Sequence, residues 1–158
     1  MNLIRAAGAA MLAGALTLGV QGAATVAAAP TAAAGYQDCF TPGADPNLVV
    51  STTHSDLTFR TSTLRCGRAG ETGFGVLHIN EGHPPFNDTT VRCIEHVLAT
   101  APYELPATGE DNVMYRRSTR DMDAVVIVNA DTNNVVTAYT SRGGTSASNE
   151  WEACTRIT

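Results

Sequence analysis

The chain has 158 residues, with 10 basic side chains against 15 acidic ones and a formal charge of −5. Every basic residue is Arg. An acidic balance argues against a protein that coats nucleic acid non-specifically, because phosphate neutralisation supplies most of that affinity. It leaves room for an enzyme with a small local site.

Arg5 is the only charged side chain before Asp38, and Ala6 to Val20 is an apolar, Ala/Leu-rich run. This is the pattern of a secretion signal, with small residues offering cleavage after Ala28 or Ala34. A membrane anchor is the rival reading, but a spanning helix needs about 20 strongly apolar residues. The run is shorter and diluted by Gly and Thr. Residues 1–34 are therefore read as a signal peptide, and the remainder as an exported, extracellular, monomeric domain without stable membrane association.

Cys39, Cys66, Cys93 and Cys154 all follow the signal. An even number in an exported chain reads as two disulfides. Three pairings exist; Cys39–Cys66 with Cys93–Cys154 is favoured, tying an N-terminal arm to a hairpin and a C-terminal tail to a helix. A zinc site is the alternative, but no C-x-x-C pair supports it.

Residues 35–72 are expected to form an irregular arm followed by a strand or short hairpin, with β-prone residues from Asp56 to Arg65. Gly67 to Gly75 is turn-rich. The stretch His78-Ile-Asn-Glu-Gly-His83 follows, closed by Pro84-Pro85. A helix is predicted over Thr89 to Thr100: Asn87 or Asp88 can cap it, Val91, Ile94, Val97 and Leu98 recur on one face, and Pro102 stops it. His96 falls off that stripe and reads as a surface residue. Leu105 to Asn112 reads as a loop and Val113 to Tyr115 as a short strand, followed by the Arg116–Arg120 segment.

The strongest hairpin signal is Ala124 to Val128, a turn, and Val135 to Tyr139. Strict alternation puts Val136 and Ala138 on one face and Val135, Thr137 and Tyr139 on the other. With the helix on the first face, Thr137 and Tyr139 lie about 7 Å apart on the open one. Residues 73–140 are taken as the functional core and 141–158 as an irregular C-terminal tail. The fold class is α+β: one main helix on a mainly antiparallel sheet, stapled by disulfides.

Two histidines five residues apart are the first chemical candidate. Imidazole titrates near neutrality, so His78 and His83 can act as acid and base without a metal or another cofactor. RNA cleavage by its own 2′-hydroxyl requires such a pair, together with donors to the non-bridging phosphate oxygens. A metal hydrolase is a weaker alternative. His78-x-x-Glu81-x-His83 lacks the helical spacing of zinc-binding histidines, and Gly82 to Pro85 interrupts any helix there.

The stretch from Gly75-Val-Leu-His through His83 and Phe86, the helix with Cys93-Ile94 and Val97-Leu98, then Tyr115, Val125 to Val128 and Val135-Val-Thr-Ala-Tyr139 resembles the barnase/EndoU/colicin/RelE-type ribonuclease superfamily. The similarity is greatest to the toxin domains of contact-dependent and polymorphic toxin systems. It covers about 65 residues, Gly75 to Tyr139, through short motifs. It implies that His78 and His83 are the acid and base, that Thr137 polarises the scissile phosphate, and that Tyr139 supports the substrate. RNA would be the substrate, with an immunity protein as a candidate partner. Such sites commonly hold a basic residue, which no motif here fixes. Arg117 is the choice, against Arg116, Arg120 and Arg142. The alternative function is a secreted, disulfide-stabilised binding or inhibitor module, in which these residues are structural or solvated.

Overall fold

A computed structural model describes residues 35–142, 147–148, 150–154 and 156; the expected signal segment lies outside them. The described elements are a 3-10 turn (Tyr36–Phe40), a hairpin of β1 (Val49–His54) and β2 (Thr61–Arg65), helices α1 (Gly75–Gly82) and α2 (Asp88–Thr100), strands β3 (Glu104–Pro106), β4 (Asn112–Ser118), β5 (Met122–Asn129), β6 (Val135–Arg142) and β7 (Ala147–Ser148), and a last turn of helix α3 (Trp151–Cys154). Strands β3 to β7 form an antiparallel sheet in sequence order. The architecture is α+β, with both helices and the separate β1–β2 pair gathered against the sheet.

Helix α2 forms where the sequence places it. The Asn87 side chain accepts from the N–H groups of Thr89 and Thr90, while Thr90 returns a bond to the Asn87 N–H. This reciprocal cap satisfies amides that the first turn leaves without partners. Cys93, Ile94, Val97 and Leu98 are buried against Tyr115, Val126, Val128 and Ala138 of the sheet.

The disulfides are Cys39–Cys66 and Cys93–Cys154, the favoured pairing. Each joins peripheral chain to a core element: the first ties the 3-10 turn to the end of β2, the second ties α3 to α2. Among the described residues no helix is long and apolar enough to cross a membrane.

Local structure differs from the sequence expectation in three places and adds a helix where none was assigned. The N-terminal hairpin is displaced: its first strand is β1, and residues 56–60 form the turn and its exit rather than strand. The interval 75–82 is a helix, with Val76 and Ile79 buried one turn apart. Leu105 and Pro106 of the expected loop belong to β3, which pairs with β4. The tail is not wholly irregular, because β6 runs to Arg142 and pairs with β7.

Strand β6 also breaks the simple alternation. Ile127 pairs with Thr137, but Val128 pairs with Val135, so Val136 is an extra residue at a bulge. A bulge sets two residues against one and shifts the facing of everything before it. Val135 therefore lies in the core with Ala138, each 0% exposed, rather than beside Thr137 and Tyr139.

Candidate functional site

The sheet has two unlike faces. Tyr115, Val126, Val128, Val135 and Ala138 belong to the core cluster beneath the helices. The opposite face carries ladder rows that follow from register: Met114, Ile127 and Thr137 in one, Arg116, Val125 and Tyr139 in the next. Thr137 and Tyr139 are both half-buried there and, two residues apart on one strand, lie about 7 Å from each other. They line a cavity of about 350 Å³ with Pro106, Met114, Ile127 and Val136.

Helix α1 packs against β6 and delivers the histidines. His83 ends the helix, its N–H bonding to the Ile79 carbonyl at 2.7 Å. Its ring meets that of Tyr139, with centroids 5.8 Å apart and planes inclined by 38°. Burial, and then the nearby charge of His78, lowers the His83 pKa below the usual imidazole value. The two imidazoles are thus within electrostatic reach of each other, and His83 is held towards its neutral form near neutral pH.

His78 sits in the middle of α1, half-buried, with Nδ1 3.0 Å from the carbonyl oxygen of Gly70. A carbonyl only accepts, so Nδ1 carries a proton and Nε2 is the nitrogen left for other work. The loop before the helix is folded back to allow this: Gly73 N–H bonds to Gly70 O at 2.8 Å, and Arg68 pairs with Phe74.

Arg117 does not join this group. Alternation along β4 aims it at the core side of the sheet, opposite Ala124, where its Nη1 donates to the Thr100 carbonyl at the end of α2. A cation there satisfies the helix's last carbonyls and its negative dipole end. Arg116 instead shares the ladder row of Tyr139, two strands and about 10 Å away. Its guanidinium makes a forked pair with Asp123, at 3.1 and 2.6 Å. Hydrogen bonds from Ser118 and Arg116 lower the Asp123 pKa against the opposing effect of burial, the largest influence on it. Arg142 is engaged by Glu150, and Arg120 is exposed in the β4–β5 turn.

Among the described residues, no group of three or more His, Cys, Asp or Glu side chains comes together to hold a metal ion. The would-be ligand string divides: His78 and Glu81 turn to the Gly70 peptide, and His83 turns to Tyr139. Glu81 and Gly70 had no role in the sequence reading beyond Glu81 as a metal-ligand type. Treating Val76 and Ile79 as a one-turn apolar repeat would have exposed His78 and Glu81 as i, i+3 neighbours.

Comparison with protein-family models, curated proteins and solved structures found no match.

Proposed function

We propose that this chain is an exported, metal-independent endoribonuclease of toxin-like character that cleaves RNA by attack of its own 2′-hydroxyl. The supporting observation is the clustering of His83 on Tyr139, with His78 within electrostatic reach and Thr137 next along the same face. These are the groups that the reaction requires, although they come from two elements about 55 residues apart in sequence.

Roles follow from the environments. His83, held neutral, takes the 2′-hydroxyl proton while the oxygen attacks phosphorus. The bond to the 5′-oxygen breaks, and His78 delivers a proton to that oxygen. The products are a 2′,3′-cyclic phosphate and a 5′-hydroxyl. The Thr137 hydroxyl donates to a non-bridging oxygen as charge accumulates. Tyr139 and the apolar-walled cavity beside it offer a seat for an unpaired base, the usual target of sequence-tolerant RNA recognition. The disulfides suit an oxidising compartment, in keeping with residues 1–34 acting as an export signal. An immunity protein covering the open face would be the matching partner.

A specific observation favours the binding-module alternative. Arg116, in the ladder row of Tyr139, is neutralised by Asp123, and Arg142, on the Met122 side of the sheet, is engaged by Glu150. A phosphate would have to displace Asp123 to recruit Arg116. Incubating the disulfide-bonded protein with RNA in excess EDTA separates the two. The nuclease gives 2′,3′-cyclic ends, and His78→Ala or His83→Ala lowers the rate by about 10²–10⁴ without loss of fold; intact RNA leaves the binding module.

A further inference from the structure

Helix α1 grips one residue of the preceding loop on both sides, through the peptide that enters it and the peptide that leaves it. The N–H of Gly70 donates to Glu81 Oε2 at 2.6 Å, and the carbonyl of the same residue accepts from Nδ1 of His78 at 3.0 Å. His78 and Glu81 stand three residues apart on the helix, a spacing that puts them side by side. Glu81 fixes the amide of Gly70, while the carbonyl is held by the Gly73 N–H at 2.8 Å together with His78, so the residue is tied on both sides.

The surrounding loop is shaped for this clasp. Gly70 has φ +95°, a region that favours glycine. A Cβ on Gly73 would collide first with the Arg68 carbonyl and would stand 2.7 Å from Gly70 O and 2.9 Å from His78 Nδ1, so a larger residue would crowd both the loop backbone and the junction.

We propose that Glu81 and Gly70 are positioning residues for His78: Glu81 anchors Gly70 through its N–H, and the carbonyl of the same residue holds the Nδ1–H and so presents Nε2 to the substrate. The inference rests on the acid role given to His78 above. With Nδ1–H committed to Gly70, protonated His78 releases its Nε2 proton to the departing 5′-oxygen. The neutral ring that remains is already the Nδ1–H tautomer, and it regains a proton from water at Nε2 without turning over. A hydrogen-bond partner on the second ring nitrogen is the common means of setting which nitrogen of a histidine does the work.

The test is the tautomer of His78 in the full disulfide-bonded protein, read from ¹⁵N shifts in a long-range ¹H–¹⁵N spectrum after histidine labelling. The His78 signals are assigned by their loss in His78→Gln. Neutral His78 should be the Nδ1–H form in the native protein and in Glu81→Gln, whose amide oxygen still accepts from Gly70. Glu81→Ala should give a mixture of tautomers and a fall in kcat on the order of tenfold, with KM unchanged and with recovery in Glu81→Gln. An Nε2–H tautomer in the native protein, or a tautomer indifferent to Glu81→Ala, overturns the proposal. Correct tautomers in a protein that leaves RNA uncut uphold the clasp and refute the nuclease reading.

Discussion

The two long helices of this domain are held by different means. Helix α2 has what a helix needs for stability: a reciprocal cap, a buried stripe and a disulfide from its middle to the C-terminal segment. Helix α1 has 8 residues, about two turns, starts after Phe74 with no side-chain cap, and is fastened by His78 and Glu81 to a glycine-rich loop. The side chains that stabilise α2 point into the core. Helix α1 adds Val76 and Ile79 to that core, but its clasp to the loop is polar and partly solvated, and it ends at His83, whose ring meets Tyr139. The contrast assigns stability to one helix and the candidate chemistry to the other.

Breaking α2's staple should give the largest change. Replacing Cys93 and Cys154 together by Ala opens a loop spanning 61 residues and is expected to cost about 4 kcal/mol in denaturant unfolding. The residual fold should keep its α1 geometry. Gly73→Ala strikes the other helix: crowding Gly70 O and His78 Nδ1 should cost about 2 kcal/mol and lower RNA cleavage well beyond what that instability explains. Asn87→Ala, which removes the α2 cap, should cost about 1 kcal/mol and leave cleavage unchanged.

The smallest effect belongs to His83. Its folded pKa lies below the unfolded value of 6.5, so the unfolded chain binds its proton more readily. Its contribution to stability is present above pH 6.5 and is lost as pH falls from there through the folded pKa. His83→Gln should flatten that part of the pH–stability curve, checked by urea melts across pH 4.5–7.5.

The same contrast explains what could be read from sequence. Helix α2 announces itself through Asn87, the repeat Val91, Ile94, Val97, Leu98 and the stop at Pro102. The β5–β6 hairpin is as plain, and the disulfide pairing follows from which segments need tying down. Helix α1 is hidden because eight residues offer a single apolar repeat, Val76 and Ile79, between glycines and Pro84. Strand β1 is hidden because Ser51, Thr52 and Thr53 dilute its pattern. The bulge at Val136 depends on how two strands meet, and alternation within β6 cannot reveal it.

The candidate site was partly legible for the same reason. His78, His83, Thr137 and Tyr139 carry chemistry in their side chains and can be named from the sequence. Arg117 and Arg116 differ only by the phase of β4, which sets Arg117 on the core side and Arg116 in the row of Tyr139. Gly70 acts through its backbone, which leaves no signature in residue type. Glu81 acts only through that backbone.

The central claim is that His78 and His83 exchange protons with one RNA phosphate beside Thr137 and Tyr139. The most direct measurement is end-group analysis of RNA treated with the purified disulfide-bonded protein in excess EDTA, run beside His78→Ala and His83→Ala. The account predicts 2′,3′-cyclic phosphate and 5′-hydroxyl ends from the native protein and their near-complete loss in both variants. Uncut RNA, or the same ends at undiminished rate from either folded variant, would contradict it.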